Sequence, residues 1–586
     1  MVERVFQLHL IKPSHYDDDG YVIQWKLSAI PSNSLAALHG IAADCAERGM
    51  LGEDVRLETH AYDETNTRIM PETIAAVLKT ADFGLVCLVG VQSNQFPRAL
   101  DLTRRFRAAG VQVAIGGFHV SGCLAMLPEL PPELKEAQAL GASLFAGEVE
   151  GRLDIVLKDA MKGALAPLYN YMDDLPSVES APPPLLPAEI IARTSGAVTS
   201  FDAGRGCPFQ CSFCTIINVQ GRKSRFRGAD DVEAIIRRNY AQGIKSFFVT
   251  DDNFARNSNW EAILDRIGEL RWTHGIWCVF FIQVDTLCHR IPRFIEKCGR
   301  AGVKRVYIGL ENINPANLLE IKKKQNRIEE YREMLLAWKK IGCLTYAGFI
   351  MGFPGDTPET IRRDIQIIQR ELPLDILEFF YLTPLPGSED HQRLSRDGVW
   401  MDPDLNKFDL EHAVTRHPVM SKEQWEAAYH DAWDTYYTPA HIRTIMRRAT
   451  AMNMSAGATL FLILWFWACL KLENVHPLQG GYVRVKVRRD RRPGLPLENP
   501  LVFYPRYYGG LVVKHLQLAA IAAPLGLFRL WLKIDKKRAA AYMDQALTPP
   551  TQADLDDLDL FQNSESSRAT RDKAKEKARK AAANVS

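Results

Sequence analysis

Over the first 165 residues, short apolar runs alternate with stretches in which apolar residues recur every three to four positions. The segments VFQLHLI, VRLETH, GLVCLVGV, VQVAIGG and SLFAG predict strands, and Leu35–Arg48, Glu72–Lys79, Arg98–Ala109 and Gly151–Met161 predict the helices between them. Strands separated by helices imply a parallel, doubly wound, Rossmann-like sheet whose ligands bind at the carboxyl ends of its strands. The stretch from Pro167 to Pro187, with its APPPLLP run, is barred from helix and reads as an extended connector. The alternation then restarts: VTSFDAG, SFFVT, WCVFFIQV, RVYIGLE, TYAGFIMGF and ILEFFYLTP predict six strands. Asp230 with Glu233 three residues on resembles a capping box, and Asn314-Pro315 and Thr357-Pro358 each set a capping residue before a first-turn proline. Six strand–helix units predict a partial parallel barrel with its chemistry at the strands' carboxyl ends.

The expected organisation is a Rossmann-like domain over 1–165, a linker over 166–194, a partial barrel over 195–395, a mainly helical cap over 396–547 and a charged, disordered tail over 548–586. At 586 residues, 47% hydrophobic and 24% charged, the chain is too long for one core and too apolar to be disordered throughout. A net charge of +2 gives no reason to expect nucleic acid as a partner. Eleven thinly spread cysteines do not make a disulfide framework, and no long apolar core follows Met1, so a reducing cytoplasm is the expected compartment.

The strongest chemical signal is Cys207-Pro-Phe-Gln-Cys211-Ser-Phe-Cys214, directly after the first barrel strand. Three thiolates spaced by four and three residues converge in one loop on a soft metal centre. No nearby Cys or His completes a four-ligand zinc site, whereas three ligands suit an iron–sulfur cluster that keeps one iron open. The remaining eight cysteines show no clustered spacing and read as buried small residues.

The CPFQCSFC loop on the first of six strand–helix units resembles the cluster motif of radical S-adenosylmethionine (SAM) enzymes, over roughly Ser195 to Gly387. The resemblance implies a 4Fe–4S cluster on Cys207, Cys211 and Cys214, with SAM chelating the remaining iron and yielding a deoxyadenosyl radical. It further implies that Asp251, Asp252 and Asn253 meet the cosubstrate's amino group and Glu311 its ribose or methionine part. Gly352, within the Gly348–Gly355 segment, and Phe213 fall near the adenine. Tyr381 reads as ordinary packing rather than a cavity wall. An electron donor such as flavodoxin or ferredoxin is implied as a partner.

Gly116-Gly117-Phe118-His119 and Gly147-Glu148, at strand ends of the first domain, resemble the cobalamin-binding domain that precedes many such enzymes. On that resemblance Gly116, Gly117, His119, Gly147 and Glu148 contact cobalamin, with glycines letting a bulky ligand approach the backbone. The Asp-x-His-x-x-Gly motif that supplies a lower histidine ligand is absent; Val91-Gln92-Ser93-Asn94-Gln95 stands in that loop. The leading expectation is therefore a cobalamin-dependent radical SAM methyltransferase acting on an unactivated carbon. The alternatives are an oxidative cyclase of the anaerobic magnesium-porphyrin type and a non-enzymatic iron–sulfur redox sensor.

The carboxyl-terminal region carries an uncharged, aromatic-rich run, Ala456–Leu470, a second apolar stretch over Leu516–Leu532 interrupted by Pro524 and Arg529, and the basic run Arg484–Arg492 between them. The first run is short for crossing a bilayer. Three readings stay open: peripheral association with a membrane surface, a buried cap closing the barrel, and true spanning. An oily cap would suit a small lipophilic substrate.

Overall fold

The computed structural model describes residues 4–549 and 558–561. Its first sheet holds six parallel strands, β1 (Arg4–Lys12), β3 (Val55–Asp63), β4 (Phe83–Leu88), β5 (Val113–Gly116), β6 (Ser143–Ala146) and β7 (Leu168–Asn170), in the order β3-β1-β4-β5-β6-β7. Both faces are buried. Val86, Leu88, Val113 and Ile115 pack with Phe96, Leu102 and Phe106 of the helix Phe96–Ala108, and Leu8, Leu10 and Leu85 pack with Leu35 and Ile41 of the helix Asn33–Glu47 and with Leu157. The chain leaves β1 toward β3 on one side and β4 on the other, so a crevice opens at the carboxyl ends where the winding reverses.

The second sheet holds β8 (Val198–Phe201), β11 (Ser246–Val249), β12 (Val279–Val284), β13 (Val303–Glu311), β14 (Leu344–Met351) and β15 (Ile376–Tyr381), all parallel and each beside its neighbour in this sequence. This is the expected partial barrel. Alternation sends Val306, Ile308 and Leu310 of β13 outward against Tyr331, Leu335 and Trp338, all of them buried. Tyr307 and Glu311 lie on the opposite face. A two-residue antiparallel ribbon, β9 (Gly204–Arg205) with β10 (Arg225–Phe226), follows β8 and closes the base of the cysteine loop.

Asn314 and Thr357 cap their helices as expected, accepting from the Ala316 and Thr360 amides at 3.0 and 3.3 Å. The capping box expected at Asp230 is displaced. Gly228 is the N-cap and Asp231 Oδ2 accepts its amide at 2.9 Å, because Glu233 is turned to Arg237 and Arg266. The proline-rich connector is not free: it begins with β7, and the Leu185 amide donates to Ala36 O at 3.0 Å.

The cap is helical, and Phe466 of the helix Ala456–Glu473 reaches Tyr346 of β14 with ring centroids 6.0 Å apart. Leu462, Ile463, Phe466 and Leu470 belong to the barrel core, so this run seals the barrel. The second apolar stretch is longer than expected. Pro505 and Pro524 both lie inside one continuous helix, Pro500–Ile534, 35 residues long. β2 (Gln24–Ser28), near the start of the chain, pairs antiparallel with β16 (Gly481–Val485), binding the first and last regions together. Most of the tail expected over 548–586 lies outside the described residues. Within it Leu558 and Leu560 are buried, and the amides of Asp559 and Leu560 donate to the Glu371 carboxylate at 3.0 and 3.2 Å.

Candidate active site at the cysteine loop

The cysteine loop hangs from the ribbon at the carboxyl end of β8. Gly206 takes a left-handed φ of 90°, and a Cβ there would lie 2.4 Å from Lys223 O, so only glycine turns the chain into the loop. The Cys207 amide donates to Gly221 O at 3.2 Å, the Cys214 amide to Cys211 O at 3.2 Å and the Ser212 amide to Ile321 O at 3.1 Å. All three thiols are unpaired. Burial pushes Cys207 up to about 11 and Cys214 up to about 12. Left alone, the Cys207 and Cys214 sulfurs keep their protons far past neutrality; a cationic iron centre would take those protons' place. The donor set therefore fits a cluster held on three thiolates.

Residues from the ends of the other five barrel strands gather around this loop. Asp252 Oδ2 accepts the Gly206 amide at 2.9 Å, and Asp251 accepts the Ala203 amide at 2.7 Å and Asn257 Nδ2 at 2.8 Å. Burial pushes both carboxyls up to about 7. Asn253 donates to Asp285 at 3.0 Å, and Asp285 pairs with Arg256, whose guanidinium lies 5.6 Å from the Phe209 ring. Glu311, at the end of β13, holds φ = 62°, a strained conformation for a residue with a side chain, and ion-pairs with Lys323. The Lys323 ammonium lies 5.9 Å from the Phe213 ring, and Gln325 Nε2 is 3.7 Å from Cys211 Sγ. Phe213 packs with Ile350, Phe353 and Phe380 at the ends of β14 and β15. Gly352, with φ = 98°, is pressed against the Trp425 ring, where a Cβ would come within 2.0 Å. Tyr381 points outward, stacked on Tyr429 at 4.8 Å.

The first sheet's crevice faces the same loop. Gly116, Gly117, Gly147 and Glu148 line a cavity of about 170 Å³, roofed by Arg205, Val219 and Gln220 from the cysteine-loop region. Arg205 spans the junction, at 2.6 Å from both Glu148 and Glu150 and 2.9 Å from Asp202; Arg225 also holds Glu148 at 2.5 Å. The carboxylate expected to meet cobalamin is thus engaged by two arginines. His119 is not in the cavity wall. Its position in the first turn of the helix Phe118–Met126 sends the ring beneath the helix, against Phe96 at a centroid distance of 4.5 Å. Glycine backbone, Ser121, Phe118 and Phe145 offer a bulky ligand close approach and apolar walls, which fits a corrinoid's edge. The cavity is too small to enclose a macrocycle with Val219 and Gln220 in place.

Sequence reasoning picked the cysteines and strand-end acids and missed Arg205, Lys323 and Gln325. Arg205 stands two residues before Cys207, a position that signals loop chemistry; Lys323 and Gln325 sit in IKKKQN, which reads as a solvated face.

Parallel strands ending in a three-cysteine loop, with acidic strand ends around it, define an enzyme built to hold an iron–sulfur cluster and a small cosubstrate. Residues 203–368 match the family model of the Radical SAM superfamily, so the chain carries a radical SAM domain, and that family implies a 4Fe–4S cluster and SAM. It is 28% identical over 353 residues to bacteriochlorophyllide d C-8(2)-methyltransferase of Chlorobaculum tepidum, covering 56% of this chain and 73% of that protein. It is 25% identical over 457 residues to hopanoid C-2 methylase of Rhodopseudomonas palustris, covering 74% and 82%. Among solved structures it resembles the radical SAM methyltransferase TsrM of Kitasatospora setae with cobalamin and a [4Fe-4S] cluster bound, at TM-score 0.55 and 15% identity over 75% of this chain and 90% of that one. The cobalamin-dependent radical enzyme OxsB matches at TM-score 0.51 and 14% identity over 92% and 82%. These two likenesses establish the fold: a Rossmann-like domain, a radical SAM barrel and a helical cap.

Proposed function

We propose that the protein is a cobalamin-dependent radical SAM methyltransferase that adds a methyl group to an unactivated carbon of a small lipophilic substrate. The observation that carries this reading is the juxtaposition of the two strand-end sites: the glycine-floored crevice opens under the cysteine loop, with Arg205 pinned between them. Two relatives that bear methyl-adding names favour methylation over oxidative cyclisation, and a redox sensor has no use for a second, glycine-floored crevice.

The bound cofactors would supply reductive sulfonium cleavage, hydrogen abstraction and methyl transfer; the remaining work falls to this chain. Cys207, Cys211 and Cys214 would hold the cluster. Asp252 orients the loop through Gly206, while Asp251, Asn253 and Glu311 stand where the cosubstrate's polar end would lie. Phe213 and Gly352 edge the apolar side, and the barrel core together with the helix Ala456–Glu473 excludes water from below. Gly116, Gly117, Gly147 and Glu148 would seat cobalamin once Val219 and Gln220 move aside. His119 has no path to that ligand here. Electrons would come from a flavodoxin- or ferredoxin-like donor.

The protein would work at the cytoplasmic face of a membrane. Among the described residues, two helices are long and apolar enough to cross one by length and composition, and they differ in burial: 39% of the apolar window of Ala456–Glu473 is buried against 6% for Pro500–Ile534. The exposed helix carries Leu501, Val513, Leu516, Leu527 and Ile534 into solvent, a surface that a bilayer interface would cover. The basic run contributes less than its composition suggests, since Arg484 is held by Asp17 at 2.8 Å and Arg492 by Asp404 at 2.7 Å.

The test is anaerobic reconstitution with iron, sulfide and methylcobalamin, then turnover of methyl-labelled SAM with lipid extracts. Deoxyadenosine formation together with label in a lipid supports the reading. Deoxyadenosine without labelled product under cobalamin saturation overturns the methyl-transfer assignment.

A further inference from the structure

We propose that His119, Cys123 and Glu133 form a zinc site at the junction of the first domain with the segment following the barrel, with His391 at its rim. His119 and Cys123 stand one turn apart on the helix Phe118–Met126, and Glu133 opens the helix Pro132–Ala139 beside it. The ligand atoms of these three side chains all lie within 4.8 Å of one another. His119 Nε2 is 3.2 Å from Glu133 Oε1 and 4.0 Å from Cys123 Sγ. A tetrahedral zinc with bonds of about 2.0–2.3 Å sets its nitrogen, oxygen and sulfur ligands roughly 3.3–3.6 Å apart, so small side-chain shifts would complete the coordination.

Two further observations point to a ligand here. The other nitrogen of His119, Nδ1, lies 3.1 Å from Ser93 Oγ, the kind of outer partner that fixes a metal-binding imidazole's tautomer and orientation. His391 comes from the far side of the domain junction. Its helix, Glu389–Arg396, is held over Phe118–Met126 by Gln392, whose Nε2 donates to Met126 O at 2.6 Å. Gly122 and Gly387 allow that approach, since a Cβ on Gly122 would lie 2.7 Å from Pro386 O. His391 is 9% exposed, its Nδ1 has no hydrogen-bond partner among the described residues, and it sits within electrostatic reach of both His119 and Glu133. A buried nitrogen without a partner is costly, which marks this rim as a place where a polar ligand or ion is wanted.

One thiolate, one imidazole and a carboxylate suit borderline-soft zinc and not the hard, oxygen-seeking calcium or magnesium. Binding exchanges the Cys123 thiol proton for the ion, releasing one proton per zinc. The site also bears on the reaction centre: Asp390, next to His391, accepts the hydroxyl of Ser212 at 3.0 Å, between Cys211 and Cys214.

The experiment measures zinc and iron per chain, by plasma mass spectrometry, in anaerobically reconstituted full-length protein given equimolar Zn²⁺ and desalted. Wild type is compared with Cys123→Ser, His391→Gln and Cys211→Ala. Wild type and Cys211→Ala should each retain close to one zinc. Cys123→Ser and His391→Gln should retain roughly tenfold less at unchanged iron content, as lost ligands and orienting groups do. Zinc-edge absorption of wild type should show one sulfur at about 2.3 Å with nitrogen or oxygen at about 2.0 Å. Wild type without zinc, zinc without a sulfur neighbour, or zinc that persists in Cys123→Ser would reduce the cluster to a histidine–carboxylate hydrogen bond. If Cys123→Ser does not fold, the wild-type spectrum and His391→Gln, at the rim, still decide. Iron content reports on the radical SAM reading independently.

Discussion

The two six-stranded parallel sheets share an architecture and differ at their carboxyl ends. The first ends in glycines, at 116, 117 and 147, and leaves a cavity floored by backbone. The second ends in ionisable groups: Asp251, Asp252, Glu311 and, beyond β8, three cysteines. A floor without side chains suits a large ligand that brings its own chemistry, whereas charged strand ends suit a small, polar cosubstrate that must be oriented. Arg205, between Glu148 and Asp202, joins the two, so neither end is a separate site.

The hardest test of this division is Cys211→Ala. It should abolish the cluster's visible absorbance and lower deoxyadenosine formation by roughly three orders of magnitude or more, while cobalamin binding survives. Loss of both ligands together would show one cooperative site. Arg205→Ala strikes the joint itself. Leaving Glu148, Glu150 and Asp202 buried around a vacant position should cost about 3–5 kcal/mol, read as a lower chemical-denaturation midpoint and a weakened response to both cofactors. Ala37→Phe fills the crevice from the helix Asn33–Glu47 and should weaken cobalamin binding roughly tenfold with iron content unchanged, measured by equilibrium titration.

The two apolar carboxyl-terminal helices make a second contrast, buried against exposed. Replacing Leu516 and Leu527 by Glu should remove co-sedimentation with anionic liposomes and leave the thermal midpoint nearly unchanged, since both side chains are exposed. The last test is a pH slope. Burial raises the Glu378 carboxyl on β15 to about 8, and its Oε2 has no partner among the described residues. The unfolded chain ionises near the ordinary value, so stability falls as pH rises from the unfolded pKa toward 8 and is flat above it. Glu378→Gln should flatten that part of the denaturation midpoint against pH.

Much of this was legible in the chain. Period-2 and period-3.6 patterning located five of the first sheet's strands and all six of the barrel's, because each buries apolar residues on a schedule its neighbours share. The cysteine spacing named the cluster, since few other arrangements use three thiolates in eight residues. What was illegible is non-local. β2 reads as an unremarkable stretch until β16, more than 450 residues away, supplies its hydrogen bonds. Local pattern also could not tell that Pro505 and Pro524 would be carried within one helix, nor that Arg484 and Arg492 would be neutralised by Asp17 and Asp404.

The sequence by itself determined the elements, their order and the identity of the cluster loop, because these follow from periodicity and from covalent spacing within a few residues. Only the tertiary structure decided where side chains aim and what they meet. His119 was drawn to the crevice by its place after two glycines, yet the rotation of one helical turn buries it with Cys123 and Glu133. Lys323 drew no notice in the sequence, yet the bulge at the end of β13 brings Glu311 against it. Such outcomes depend on angles between elements and on partners far along the chain, and neither is written in any local run of residues.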